Sequence, residues 1–103
     1  MNKNQIEILI PTFNEEGNIE HVINELKSEG FINITILDAN SKDKTVEIAQ
    51  KNNCRIILDT QEITGFGGSV INGLNNLNFE YFCIFDGDNS FNPKDITFMI
   101  DKI

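Results

Sequence analysis

The stretch QIEILIPTFNEEGNIEHVINEL, residues 5–26, decides the fold. Its opening apolar run, Ile6 to Ile10, reads as a buried strand, and Pro11, which has no N–H to give a sheet ladder, is expected to end it. A helix follows. Ile19, Val22, Ile23 and Leu26 recur at i, i+3, i+4 and i+7, Glu15 and Glu16 lie at or before the first turn, and Gly30 is placed to close the end.

The same alternation continues outward. NITILD makes a second strand, the segment from Asp43 to about Asn52 a second helix, and CRIILD a third strand of β-branched character. Beyond Gly65, Gly67 and Gly68, the residues Val70, Ile71, Leu74 and Leu77 share a helix face, and EYFCIF makes a fourth strand. Asn92 as N-cap, Pro93 at the first helical position and Asp95 two residues on open a last helix that carries Ile96, Met99, Ile100 and Ile103. Strand alternating with helix is the pattern of an α/β protein with a parallel sheet, and nothing between residues 1 and 103 reads as a linker or a repeat, so one domain is expected.

Composition narrows the partners. Sixteen acidic residues against eight basic ones give a formal charge of -8 over 103 residues, which opposes binding to nucleic acid or to an anionic membrane surface. No apolar run approaches the roughly 20 residues that span a bilayer, and the amino terminus lacks the charged-then-apolar order of a signal peptide; a cytoplasmic protein is expected. Cys54 and Cys83 each sit in a strand-like run as small hydrophobes, with no CxxC spacing.

In an open parallel sheet, ligands bind at the edge formed by the carboxyl ends of the strands. The four strands here end in PTFNEE, DANSKD, DTQE and DGDNS, so acids from distant segments converge on that edge. Each stretch alone is an ordinary source of turns and caps. Asp86 and Asp88, separated only by Gly87, are the least easily dismissed: two carboxylates that close repel, and a divalent cation offsets the repulsion. Oxygen ligands suit Mg²⁺ or Mn²⁺, whose remaining positions take water and phosphate oxygens. An EF-hand loop beginning at Asp86 fails, because its sixth and twelfth positions are Phe91 and Thr97. A phospho-receiver with Asp38 as nucleophile and Glu15 and Glu16 as acidic partners stays open, although no lysine stands at a later strand end. The glycine segment ITGFGGSVINGL has no lysine and is not a P-loop. His21 falls on the polar side of the first helix, and Phe13, Phe66 and Phe91 fall in loops at the rim.

With PTFNEEGNIEHVINEL, LDANSKDKTVEIA, GFGGSVINGL and FDGDNSFNPKDI in that order, the chain resembles family 2 glycosyltransferases, in particular the branch of dolichyl-phosphate mannosyltransferases and polyprenyl-phosphate glucosyltransferases. The resemblance implies a GT-A fold, in which a Rossmann-like sheet of strand order 3-2-1-4 with flanking helices binds a nucleotide-diphosphate sugar. It implies that Pro11, Thr12, Phe13, Asn14 and Glu15 frame the nucleoside, that Asp38 hydrogen-bonds the base, and that Asn40 and Ser41 shape that turn. Gly65, Gly67 and Gly68 would lie along the nucleoside or diphosphate, and Asp86 and Asp88 would hold Mg²⁺ or Mn²⁺ between the two phosphates. The implied reaction is a single inverting displacement onto an acceptor, in this branch a polyprenyl phosphate. Two departures stand out. Thr64 replaces the basic residue often found before the glycine segment, and the acceptor site and catalytic base are expected beyond Ile103. The leading expectation is therefore a donor-binding half, inactive alone. The rival is a noncatalytic module that covers its exposed sheet edge by forming a homo-oligomer.

Overall fold

A computed structural model describes residues 2–58, 81–85 and 93–94. Its elements are β1 (Ile6–Thr12), α1 (Ile19–Ser28), β2 (Ile34–Asp38), α2 (Thr45–Lys51), β3 (Arg55–Leu58) and β4 (Tyr81–Ile84). The strands form one parallel sheet in the order β3-β2-β1-β4, the order implied by the family resemblance. The expected helix at Val70–Leu77 lies outside the described residues. Pro93 is buried and, with Lys94, helical, and these two residues sit beside Glu25, Ser28 and Glu29 at the end of α1.

β1 is buried along its whole length because it has a neighbour on both sides and apolar or paired side chains on both faces. Residues paired in register on parallel strands share a face. Ile8 and Ile10 of β1 therefore stand with Ile34 and Ile36 of β2 on the face that α1 covers with Ile19, Val22, Ile23 and Leu26 and α2 with Ala49. The four α1 side chains are those that the helical spacing picks out, and each is worth roughly 1.5–3 kcal/mol on burial. On the opposite face Leu9 and Leu37 are buried, and so is Glu7. Its carboxylate accepts the Thr35 hydroxyl at 2.6 Å and faces the Arg55 guanidinium at 3.5 Å.

The strand runs past the proline expected to stop it. Ile8 N–H donates to Asn33 and Thr12 C=O accepts from Ala39, so the even positions of β1 face β2. Pro11 turns its nitrogen the other way, toward β4, where among the described residues the last in-register pair is Leu9 with Ile84 and the last bond runs from Phe85 N–H to Leu9 C=O. Pro11 thus sits one step past the point where a donor is needed, and pairs in register with Leu37 on the β2 side.

Both helices end in the same way. Gly30 takes a left-handed φ of 97°, its N–H bonds to Lys27 C=O, and Phe31 N–H bonds to Leu26 C=O, which is a Schellman cap with its apolar contact supplied by Phe31 and Leu26 in the core. Lys3 locks this corner by donating to Glu29 C=O while its ammonium lies 5.2 Å from the Phe31 ring centroid. At the end of α2, Asn53 takes φ 62° and Cys54 N–H bonds to Ala49 C=O. Burial pushes the Cys54 thiol up to about 11, consistent with a packing role.

Gly30 carries a direct test. A Cβ there would meet the flexible Lys3 Cδ at 3.2 Å, so the main cost is the left-handed backbone. Gly30→Ala is expected to lower unfolding stability by about 1–2 kcal/mol in urea titration, and Gly30→Asn by less, since asparagine tolerates this region. Equal stability for glycine and alanine would contradict this account of the α1 terminus.

Candidate functional site

Thr12 and Asp38 are the last paired residues of β1 and β2, so they stand side by side at the carboxyl edge of the sheet. Thr12 Oγ1 donates to Asp38 Oδ1 at 2.7 Å. Ser41 closes the turn beyond β2 by donating its N–H to Asp38 Oδ2 at 2.8 Å and its hydroxyl to Oδ1 at 2.6 Å. A carboxylate as buried as Asp38, at 1 % exposure, needs such donors in place of water. Asn40 makes the tight reversal possible by taking φ 59°, which asparagine enters more readily than most residues.

The loop after β1 is laced to the loop after β2. Three successive amides cross the gap: Asn14 N–H donates to Ser41 Oγ at 2.9 Å, Glu15 N–H to Thr45 Oγ1 at 2.8 Å, and Glu16 N–H to Asp43 Oδ2 at 3.2 Å. Two bonds return, from Lys42 N–H to Asn14 Oδ1 at 2.8 Å and from Lys44 N–H to Glu16 Oε2 at 3.3 Å. Asn14 holds a left-handed φ of 54° within this lacing. Asp43 also accepts the Thr45 N–H at 3.0 Å and the Thr45 hydroxyl, so it caps α2 from the residue before the N-cap, Lys44, whose own side chain makes no cap bond.

Of the residues expected at the site, Thr12, Asn14, Glu15, Asp38, Asn40 and Ser41 are brought together at this edge, with Pro11 in the strand behind them. Phe13 is 58 % exposed, so it does not close the core and its ring is available to a ligand. Phe85, buried and bonded to Leu9, carries β4 to the same edge. Gly65, Gly67, Gly68, Asp86 and Asp88 lie outside the described residues. Among the described residues no group of three or more His, Cys, Asp or Glu side chains is placed to hold a metal ion, so the expected Mg²⁺ or Mn²⁺ set rests on the sequence of the Asp86–Asp88 segment. Asp38 does not suit the receiver alternative, because three donors occupy the carboxylate that would have to attack a phosphoryl group. His21 pairs with Glu25 at 2.9 Å on the exposed side of α1, as its helical position implies. Asp43 and Thr45 are contributors that reading along the chain did not single out, and Glu16 stood there only as a first-turn acid and as an acidic partner in the receiver alternative. The available signal was Asp43-Lys44-Thr45 at a helix start, which reads as a cap and gives no hint of a partner about 30 residues upstream.

Comparison with known proteins places the chain in a family. The sequence profile described as "Glycosyl transferase family 2" matches residues 7–103, and the chain belongs to that family. It is 35% identical over 109 residues to the uncharacterized protein MJ1222 of Methanocaldococcus jannaschii, covering 100% of this chain and 43% of that one. It is 32% identical to the UDP-N-acetylglucosamine–dolichyl-phosphate N-acetylglucosaminyltransferase of Methanococcus voltae, covering 95% of this chain and 47% of that enzyme. The chain thus spans less than half the length of these relatives. Its fold superposes on glucosyl-3-phosphoglycerate synthase of Mycobacterium tuberculosis, solved with Mn²⁺, UDP and glucosyl-3-phosphoglycerate, with a TM-score of 0.79 at 24% identity over 93% of this chain and 38% of that one. No helix among the described residues is long and apolar enough to cross a membrane.

The lacing depends on pH through Asp43. Partial burial works to raise this carboxyl, but the Thr45 hydroxyl, the Thr45 amide and the Glu16 amide together outweigh it and hold it below its ordinary value of 3.8. A carboxylate whose folded value is depressed contributes stability that is present above the unfolded value and is lost as pH falls through the folded one. The Glu16 and Thr45 amides are therefore expected to stay protected from hydrogen exchange at pH 5 and above, and to lose protection as pH falls below 3.8, with Asp43→Asn losing it at neutral pH. Protection unchanged down to pH 2 would contradict the assignment.

Proposed function

We propose that this chain is the donor-binding part of a metal-dependent glycosyltransferase that transfers a sugar from a nucleoside diphosphate, with inversion, to an acceptor. The observation that carries the reading is the polar floor at the carboxyl edge, where Thr12 and Ser41 hold a buried Asp38 at the end of a Rossmann-like sheet in a family 2 chain. Buried and held by three donors, Asp38 sets the floor of the edge against which the base is read to lie. Pro11, Thr12, Phe13, Asn14 and Glu15 frame the nucleoside, with the exposed Phe13 ring against the base or sugar, and Asn40 and Ser41 shape the facing turn.

Gly65, Gly67 and Gly68 line the nucleoside or diphosphate, and Asp86 and Asp88 hold the divalent ion. When bound, that ion supplies Lewis-acid stabilisation of the departing diphosphate, an effect worth several kcal/mol. With Thr64 where a basic residue often stands and a net charge of -8, phosphate binding leans harder on the metal. The mycobacterial synthase with Mn²⁺ and UDP bound supports this use of a metal, and the Methanococcus enzyme supports UDP-linked sugar as donor and a lipid phosphate as acceptor. On this reading residues 1–103 supply donor binding, and the base that deprotonates the acceptor oxygen is assigned to none of them.

Titration calorimetry with UDP and GDP tests the reading. Binding of at least one of them is expected in Mn²⁺, weakened at least tenfold by EDTA or by Asp88→Asn, a loss of about 1.4 kcal/mol or more. Absence of binding to both, or binding indifferent to the metal, would contradict it.

A further inference from the structure

We propose that Thr45, backed by the Asp43 carboxylate, is a positioning residue that sets the β1–α1 loop in the conformation that receives the nucleoside; the inference rests on the reading of that loop given above. Thr45 is fully buried, and its hydroxyl is used in both directions, accepting the Glu15 N–H at 2.8 Å and donating to Asp43. At the first residue of α2 a buried side chain of this size needs no hydroxyl for packing, and a buried hydroxyl is costly unless bonded. The bond to Glu15 is what the hydroxyl achieves.

The loop it holds is pinned at several successive points. Asn14 sits at φ 54°, and the amides of residues 14, 15 and 16 reach in turn to Ser41, Thr45 and Asp43. Thr45 is the middle acceptor and the only fully buried one of the three. Its partner Asp43 bonds the next amide, from Glu16, so one Asp–Thr pair fixes two successive amides of the opposite loop. Phe13 and Asn14, which present the exposed ring and the left-handed turn, are directly upstream of the clamped pair. A loop that occupies its receiving conformation only part of the time binds more weakly by that fraction.

The test uses the whole chain, with uridine and UDP as probes and amide exchange of Asn14, Glu15 and Glu16 read by NMR. Thr45→Val is expected to abolish protection at Glu15 and to weaken uridine and UDP by the same factor, about tenfold for the loss of two hydrogen bonds, while Thr45→Ser restores both. Ile23→Val in the α1 core supplies the comparison: it lowers thermal stability without touching either loop and is expected to leave both affinities unchanged. If Thr45→Val does not fold, Asp43→Ala removes the acceptor of the Thr45 hydroxyl and of the Glu16 amide and is expected to weaken binding in the same direction. Unchanged affinity in Thr45→Val or, failing that, in Asp43→Ala overturns the inference, as does an affinity loss in Ile23→Val that tracks its stability loss. An unprotected Glu15 amide in the wild type overturns it whatever the probes do. A protected Glu15 amide with no binding of either probe refutes the nucleotide reading, and a role in binding falls with it, leaving a clamp that serves the fold alone.

Discussion

A strand buried on both faces must find partners for its backbone along both edges, and β1 meets that demand by lying between β2 and β4. Because all the strands run parallel, meeting it has a directional consequence. Thr12, Asp38 and Phe85 are delivered to one edge of the sheet, and the amino ends of α1 and α2 follow from the loops that begin there. The candidate site is therefore a by-product of how the centre of the sheet is satisfied. Pro11 shows how finely this works: it is allowed inside the strand because its nitrogen faces away from β2, with which it pairs in register through Leu37.

What turns the edge into a defined surface is the exchange of hydrogen bonds between the two loops. Backbone amides of one loop end on side chains of the other in both directions, and both loops include an asparagine in the left-handed region, Asn14 and Asn40. Asparagine enters that region more readily than most residues, so each loop can turn sharply enough to meet the other. The Asp38 floor and the Asp43–Thr45 clamp play different parts. One fixes where the two strand ends meet, and the other fixes the height and angle of the chain that leads from β1 into α1.

Much of this was legible along the chain. The α1 stripe of Ile19, Val22, Ile23 and Leu26 is buried as its spacing requires, and Gly30 ends the helix, because amphipathic period and left-handed glycine are local signals. The alternation of strands and helices set the class, and the strand order came with the family likeness, since neighbouring order is decided by contacts between distant segments. The continuation of β1 through Pro11 was not legible, because it depends on which neighbour each edge of the strand faces and where that neighbour stops. Glu7 was hidden for a similar reason: an acid inside an apolar run is buried here only because Thr35 and Arg55, on two other strands, come alongside. The clamp was hidden because Asp43 and Thr45 look like ordinary helix-capping residues, and they are, while also serving amides from the loop after β1.

The claim at the centre of this account is that the edge built on Thr12, Asp38 and Ser41 is where a nucleoside sits. Amide chemical shifts followed during a uridine titration test it most directly. Saturable shifts are expected at Phe13, Asn14, Ala39 and Asn40, with none at Asn33 and Asn53 on the opposite end of the sheet. Shifts confined to that opposite end, or none anywhere up to millimolar uridine, would contradict it.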